Sequence, residues 1–381
     1  MSDLEDILLL NRVFAGFSRR PAALVLENVS PREILERIAA ENLFGKGEAL
    51  SAARDFSAVR ELEKCAAQNI RCLALTDPGY PAILREIADP PLILYIRGHF
   101  EITDAAAVAV VGSRHPSFYG LMQARRFGEG LARAGITVLS GLAKGIDQAA
   151  HEGALKVGFG RTAAVLGSGL DVVYPPSAKK IFAEIAERGA VISEYPLGTP
   201  PLAHNFPTRN RIIAGLSLGV LVVEAHLRSG SLITAREALE QGREVFAIPG
   251  PVDQLTSRGT HRLIREGAAL AESPEDIIEI LAPVLRSFVP RTVLNENTPR
   301  LNPPSRQRGE AGGGLSEINN ETNDETVKIL EMLAAGPQAL TGLTAEGRLS
   351  PGTAAGLMTR LEITGRVRRA PDGRFCLTAA G

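Results

Sequence analysis

The stretch HNFPTRNRIIAGLS, residues 204–217, combines residue types that can recognise a polyanion. Arginine side chains neutralise phosphate groups, and the ring of Phe206 offers a surface on which a nucleobase can stack. The whole chain has a formal net charge of −1, so this cluster of cations is a local feature and not part of a basic surface. The segment therefore favours a local site for a phosphate-bearing ligand.

The same residues have an internal interpretation, which stays open at this point. Pro207-Thr208 predicts the start of a helix, with residues 209–211 in its first turn. Cations in a first turn oppose the helix dipole, so the arginines there need either an anionic ligand or an acidic partner. Glu194 and Glu224, at the predicted ends of neighbouring strands, could be that partner, and Phe206 could pack as a hydrophobic staple.

Glycines, hydroxyls and cations also follow other predicted strands. In an open parallel sheet, ligands bind beyond the carboxyl ends of the strands, where glycines let a phosphate approach the backbone N–H groups. A glycine after a strand can also simply form a tight turn, but several such loops share one edge of the sheet. The candidate anion-binding residues are Gly112, Ser113, Arg114, Gly141, Lys144, Ser229, Gly230 and Ser231, with Phe206, Arg209, Asn210 and Arg211.

The elements that must position these residues alternate along the centre of the chain. Apolar segments of strand length are separated by amphipathic segments of helix length, which predicts parallel strands covered on both faces. The fold class is therefore α/β, a Rossmann-like, doubly wound and mostly parallel sheet with at least six strands. The predicted strands are residues 108–112, 137–141, 162–167, 190–195, 219–225 and 244–250.

The rest of the sequence divides into further regions. Residues 1–75 predict a helical domain, and the sheet domain spans residues 76–285, beginning with a turn-rich bridge at residues 75–98. Residues 286–325 are rich in Pro, Gly, Asn and Ser and predict a flexible linker. Residues 326–381 predict helices followed by a hairpin around Pro371-Asp372-Gly373, which indicates a small C-terminal winged-helix domain.

Composition and missing motifs exclude several classes of protein. The 381-residue chain is 45% hydrophobic and 22% charged, typical of a folded protein of two or three domains. It has no long apolar run, no signal-peptide pattern and no CxxC pair among its three cysteines, so we expect a cytoplasmic protein without membrane contact or metal. GxGxxG, Walker A, HExxH and GxSxG motifs are missing, so we expect neither a cofactor nor an enzyme.

Several long segments carry a family resemblance. They include VAVVGSR, SGLAKGIDQAAHEGAL, VLGSGLDVVYP, NFPTRNRIIAGLS and SGSLITAREALEQGREVFAIPG. Their order and number, over roughly residues 75–270, resemble the DNA-processing protein A family (DprA, also called Smf). In that family the helical N-terminal region corresponds to a SAM-like or helix-hairpin-like domain, and a linker and winged-helix tail complete the chain.

The resemblance implies a non-catalytic protein that binds single-stranded DNA without sequence preference during natural transformation. It implies protection of incoming DNA, loading of the recombinase RecA, contact with single-strand-binding protein, and a homodimer formed through the Rossmann-like domain. The family pocket falls here on Gly112 to Arg114 and on Asn205 to Arg211. Two lysines of some members are replaced by Ala203 and Pro176, and Lys179 or Lys180 could restore the charge.

Two other functions remain as alternatives. Rossmann-like phosphoribohydrolases cleave nucleotides with a PGGxGTxxE motif, but Pro249-Gly250-Pro251 continues here without the glutamate. A transcriptional regulator could instead bind duplex DNA through the winged helix, where Arg366, Arg368 and Arg369 lie. The first alternative uses the same kind of pocket but breaks a bond, whereas the second places duplex binding in the winged helix.

Overall fold

The computed structural model describes residues 3–14, 22–42, 45–288, 332–333, 367–369 and 375–377. The chain divides into two compact units, Met1–Asn297 and Thr298–Gly381. Within the described residues, no helix is both long enough and apolar enough to cross a lipid bilayer.

The first unit is built on one nine-stranded sheet. Its strands are β1 Ile70–Ala74, β2 Ile93–Gly98, β3 Ala107–Val111, β4 Thr137–Ser140, β5 Thr162–Leu166, β6 Ala190–Ser193, β7 Gly219–Val222, β8 Glu244–Ala247 and β9 Ala269–Leu270. They lie in the order β1-β2-β6-β5-β4-β3-β7-β8-β9. The pairs β1–β2 and β2–β6 are antiparallel, and all other pairs are parallel. The six predicted strands are β3 to β8, and the predicted fold class is confirmed.

Helices cover both faces of this sheet. They are α1 Asp3–Val13, α2 Ala22–Leu26, α3 Pro31–Glu41, α4 Gly47–Ala52, α5 Ala58–Ala67, α6 Ala82–Arg85, α7 Phe118–Arg133, α8 Ile146–Lys156, α9 Lys179–Arg188, α10 Asn205–Gly215, α11 Ser231–Glu240, α12 Arg258–Arg265 and α13 Pro274–Phe288. Side chains of β3 alternate between two apolar cores: Val108 and Val110 pack with Phe127 of α7, whereas Ala109 packs in the core that contains Ile212 of α10. This alternation is what a sheet buried on both faces requires.

The sheet begins earlier in the chain than the sequence predicts. Residues 70–74 were expected to be helical and residues 93–98 part of a turn-rich bridge, but they form β1 and β2. The N-terminal helices share an apolar core with the sheet, and Asn11 of α1 donates a hydrogen bond of 2.9 Å to the backbone oxygen of Glu194. The predicted division between residues 75 and 76 therefore does not separate two cores.

The second unit is described only in part. The strands β10 Val367–Arg369 and β11 Phe375–Leu377 pair antiparallel, as the hairpin prediction requires. Helix α13 extends to Phe288 and so includes the first three residues of the predicted linker. The remainder of that linker and most of the predicted C-terminal helices lie outside the described residues.

Candidate functional site

A cavity of about 550 Å³ lies at the carboxyl edge of the sheet. The chain runs from β3 to β6 on one side of the sheet and continues with β7 to β9 on the other, so the loops that follow β3 and β7 diverge at this edge. Such a topological switch point is where open α/β sheets bind ligands. Predicted site residues that line the cavity are Gly112, Arg114, Phe206, Arg209, Asn210, Ser229, Gly230 and Ser231.

Arg114 and two aromatic rings form the accessible part of the cavity. The guanidinium carbon of Arg114 lies 4.9 Å from the centre of the Phe206 ring. The Tyr174 ring lies 5.7 Å from that ring, tilted by 49°, and Tyr174 is 43% exposed. No carboxylate in the described part of the chain lies within ion-pairing distance of the exposed Arg114. This group therefore offers a cation and stacking surfaces to the same ligand.

Arg209 forms part of the cavity floor. It is buried, and its Nη1 donates hydrogen bonds to the backbone oxygens of Gly141, at 3.0 Å, and Val165. Burial lowers the pKa of Arg209 to about 10, and the nearby carboxylate of Asp147 opposes this shift, so the guanidinium stays charged at neutral pH. A side chain at Gly141 would overlap it, with a Cβ only 2.5 Å from Nη1. Arg209 thus contributes a positive charge to the cavity floor.

Two buried acids hold the loops around the cavity. The Oδ2 of Asp147 accepts hydrogen bonds from the N–H groups of Gly141, at 3.1 Å, and Ala143, at 3.3 Å. Burial raises the pKa of Asp147, while the Arg209 charge and these two hydrogen bonds oppose that rise. Glu224, at the end of β7, accepts from the N–H of Ser117 at 2.8 Å and from its hydroxyl. Both carboxylates therefore act as loop braces.

The Glu224 contact also fixes where α7 begins. The hydroxyl of Ser117 accepts a hydrogen bond from the N–H of Gly120, so Ser117 is the N-cap of this helix. A Cβ at Gly120 would lie 2.5 Å from the Glu224 carboxyl group, so a side chain there would displace this brace. Because Ser117 follows Arg114 by three residues, this brace sets the position of the arginine loop.

Arg211 has a different role from the one predicted. Its guanidinium forms a two-pronged ion pair with Glu194, at 3.0 and 2.8 Å, and a further contact of 3.2 Å with Asp89. Burial alone would lower the pKa of Arg211, but the attraction of Glu194 and Asp89 outweighs it and raises the pKa. The internal ion pair with Glu194, which the sequence analysis gave as an alternative, is therefore the arrangement observed, and Arg211 is not a ligand contact.

Helix α10 begins before the predicted position, which corrects two further expectations. It starts at Asn205 and not at Pro207, so residues 209–211 lie beyond its first turn and the helix-dipole argument does not apply to them. Phe206 is the second residue of the helix, so it does not precede the helix as a hydrophobic staple would. The half-buried ring instead faces Gly167, whose added Cβ would lie 3.2 Å from it.

Two other predicted site residues support the loops. Asn205 is buried and its side chain donates to the backbone oxygens of Gly167, at 2.9 Å, and Pro200, at 3.4 Å. The buried Ser113 accepts from the N–H of His115 at 3.1 Å. These two residues shape the rim rather than face the cavity.

The remaining predicted residues lie on either side of the cavity. Ser229 and Ser231 hydrogen-bond to each other at 2.8 Å, and Asn210 donates to the backbone oxygen of Gly230 at 3.4 Å. Lys144 does not line this cavity but an adjoining groove that it shares with Arg114. The loop glycines and serines therefore meet on one side of Arg114, and the lysine lies on the other.

The structure shows where Ala203, which replaces one family lysine, and the two candidate substitutes Lys179 and Lys180 lie. Ala203 does line the cavity, so a lysine there would add a charge to it. Lys179 and Lys180 are exposed residues at the start of α9, and Lys180 pairs with Glu184 of the same helix at 3.9 Å. Tyr174 is the ring that the sequence interpretation missed, although its place in the loop after β5 was a usable signal.

Comparison with known proteins assigns the family. A model described as DNA recombination-mediator protein A matches residues 71–282, more than half of the chain. A model of the DprA winged helix domain matches residues 317–373, and this match confirms the predicted C-terminal fold. The matched segment begins within the predicted linker.

Similar proteins cover different shares of the chain. Protein Smf from Escherichia coli is 53% identical over 203 residues, which span 53% of this chain and 54% of that protein. Protein Smf from Synechocystis is 37% identical over 326 residues, 82% of each chain. The matched region thus amounts to about half of the E. coli relative but most of the cyanobacterial one.

Two solved structures share the fold of the first unit. The X-ray structure of DNA processing protein A from Streptococcus pneumoniae superposes with a TM-score of 0.62 at 39% identity, covering 73% of this chain and 95% of that one. DNA processing protein A from Helicobacter pylori, studied for its single-stranded DNA binding mode, gives 0.51 at 30% identity, covering 56% and 96%. The matched family model and the 37% identity to a relative aligned over 82% of both chains show that this protein belongs to the DNA recombination-mediator protein A (DprA/Smf) family.

Proposed function

We propose that this protein binds single-stranded DNA, without sequence preference, in the cavity at the carboxyl edge of the sheet. The observation that carries the proposal is the exposed, unpaired Arg114 lying against Phe206 beside Tyr174. A phosphate can pair with the guanidinium while a base stacks on the rings or on the planar guanidinium itself. The H. pylori relative, described for its single-stranded DNA binding, supports this choice of ligand.

The geometry favours an unpaired strand over a duplex. Bases of a duplex are stacked inside the helix, so only a single strand can turn a base towards the rings at the cavity wall. The loops offer glycines and hydroxyls that can contact any phosphate, which supports binding without sequence preference. The nearby acids, Asp147 and Glu224, are buried loop braces, which supports binding rather than bond cleavage.

The biological setting that we propose follows the family. The chain binds DNA that enters during natural transformation, protects it, and loads RecA on it, in competition or contact with single-strand-binding protein. We further propose a homodimer, because one cavity contacts few nucleotides and two linked cavities would gain affinity through avidity. The description of the matched family as a recombination mediator supports this setting.

The decisive experiment compares the salt dependence of binding. Arg114→Ala should weaken binding of an oligothymidylate about tenfold and reduce the slope of log affinity against log salt by about 0.7, the value for one lost phosphate contact. Phe206→Ala should weaken binding by about 1–3 kcal/mol, the contribution of one stacked base. Arg133→Ala, an exposed arginine at the far end of α7, is the matched control. Unchanged affinity and slope in folded Arg114→Ala would refute the proposed site.

A truncation separates this proposal from the duplex-binding alternative. A chain ending at Asn297 contains the whole first unit, and we expect it to keep single-strand affinity within about threefold. Loss of most of that affinity would place the binding site in the winged helix. Release of free base from nucleoside monophosphates would instead support the nucleotide-cleaving alternative.

A further inference from the structure

A second groove adjoins the cavity and shares Arg114 with it. It encloses about 410 Å³ between the loop that carries Arg114 and the start of α8. Its wall includes Lys144 and Gly145 on one side and Arg125 of α7 on the other. Because Arg114 lines both spaces, a ligand that contacts this arginine in the cavity lies next to the groove.

The groove is cationic. Arg114, Lys144 and Arg125 lie along it, and Glu152 is the one acid among its lining residues. Lys144 is exposed and, within the described residues, has no carboxylate at ion-pairing distance. A surface with three cations and one acid attracts a polyanion such as a phosphate backbone.

Arg125 is paired with Glu152 at the wall of the groove. Its Nε and Nη2 lie 2.9 and 2.8 Å from Oε2 of Glu152, and the two side chains are 38% and 46% exposed. Exposed ion pairs of this kind contribute little to stability, because water screens them and both side chains must be ordered. A phosphate that enters the groove can therefore compete with Glu152 for Arg125.

Gly145 keeps the two cationic loops close together. Its φ of 96° is in the left-handed region that favours glycine. A Cβ there would lie 2.5 Å from the backbone oxygen of Ser113, in the loop of Arg114. The close approach of the two loops brings Lys144 near Arg114, the residue that lines both the groove and the cavity.

We propose that the groove holds the next part of the same DNA strand. The strand crosses from the ring-bearing cavity over Arg114, and its following phosphates bind Lys144 and Arg125. Glu152 limits the affinity by competing with those phosphates for Arg125. This inference rests on the proposed single-strand binding and adds a second subsite with its own determinants.

The test uses two substitutions with opposite expected effects on the full-length chain. Glu152→Gln should raise the affinity for a thymidine dodecamer about two- to fivefold, because it frees Arg125 and removes a repulsive charge. Arg125→Ala should lower the affinity by a similar factor and reduce the salt slope by about 0.7. A thymidine trinucleotide, long enough for the cavity alone, should bind both variants like the unsubstituted protein. Fluorescence anisotropy at several salt concentrations measures the affinity of each variant for both oligonucleotides and the salt slope.

A matched ion pair on α7 provides the control. Glu129 pairs with Arg133 at 2.6 Å, away from the groove lining, so Glu129→Gln and Arg133→Ala change the net charge equally. If Glu129→Gln raises the affinity as much as Glu152→Gln, the effect is one of total charge and the groove proposal is wrong. If Arg125 and Glu152 variants match the unsubstituted protein while Arg114→Ala weakens binding, the groove fails and the cavity proposal stands. If Arg114→Ala also has no effect, both fail.

Discussion

The arginines of the predicted anion site have three different environments. Arg114 is exposed beside an aromatic ring, Arg209 is buried in the cavity floor, and Arg211 is paired with two acids. Only the first of these side chains is exposed. The second contributes a positive charge to the cavity floor, and the third stabilises the packing of α10.

The role of Arg211 gives a stability prediction. Arg211→Met should reduce the free energy of unfolding by about 3–5 kcal/mol, because it leaves the fully buried Glu194 carboxylate without its main partner. Urea unfolding measures this change, and the affinity of the folded fraction for single-stranded DNA should stay within about twofold. Arg236→Met, which breaks the exposed pair with Glu240, should cost less than about 1 kcal/mol. A variant that unfolds normally but loses DNA binding would show that Arg211 faces the ligand after all.

The sequence identified the right segment but not the right side chains within it. Residue types at positions 204–217 indicated a cationic, ring-bearing site, and Phe206 does line the cavity. Two positions along an α-helix correspond to a rotation of about 200°, so Arg209 and Arg211 cannot point to one place. That constraint was available from the sequence. The carbonyl partners of Arg209 were not, because Val165 lies 44 positions away and meets it only in the folded sheet.

At the level of elements, the packing of α7 against α8 connects the loops of the site. Arg114 lies just before α7 and Lys144 just before α8. The two helices touch through glycines. A Cβ added at Gly128 would lie 2.3 Å from the backbone oxygen of Ala150, and a Cβ added at Gly153 would lie 2.2 Å from the backbone oxygen of Arg125. The distance between these backbones therefore depends on the absence of a side chain.

This contact predicts a large effect of a small substitution. Gly153→Ala should lower the free energy of unfolding by about 1–3 kcal/mol or more, because its methyl group would collide with rigid backbone. Gly158→Ala is the control, since a Cβ at that position meets no heavy atom within 4 Å. Chemical denaturation of both variants measures the difference. Equal stability of the two would mean that α7 and α8 can separate without cost.

Elements with strong patterns were predictable, and those at the sheet edge were not. The six apolar segments that became β3 to β8 are buried on both faces, so each reads as a continuous hydrophobic run. β1 contains the exposed Arg71, and β2 follows the Pro90-Pro91 pair that is typical of a turn. The pairing of β2 with β6 joins residues about a hundred positions apart, which local patterns do not reveal.

At the level of the whole molecule, one buried histidine couples folding to pH. His151 is fully buried in α8, and Thr162 donates its hydroxyl proton to the backbone oxygen of Val138 at 2.6 Å. The contact of 2.6 Å between Thr162 Oγ1 and His151 Nδ1 must therefore use the proton of Nδ1, which leaves Nε2 without a proton or partner in the described structure. Burial lowers the pKa of His151 to about 3, and the Arg209 charge adds to this effect.

The sign of the resulting pH dependence is fixed. Between about pH 6.5 and pH 3 the unfolded chain holds a proton on this histidine and the folded chain does not, so the histidine favours unfolding increasingly as the pH falls. Within that window it should lower the free energy of unfolding by up to about 1.4 kcal/mol per pH unit. Burial raises the pKa of Asp147 and Glu61, and these acids act in the opposite direction, so the histidine must be isolated by substitution.

His151→Asn provides that isolation, because its amide can keep the hydrogen bond to Thr162 without titrating. Urea unfolding at pH 7 and pH 5 should show a smaller loss of stability for this variant than for the unsubstituted protein, by about 2 kcal/mol. Comparing the two pH values removes the constant cost of the altered packing. His99→Asn, at an exposed histidine, is the control substitution. If the pH dependence of His151→Asn equals that of the unsubstituted protein, the imidazole is protonated in the folded state or reached by water. The assignment of Nε2 as buried and without a proton would then be wrong.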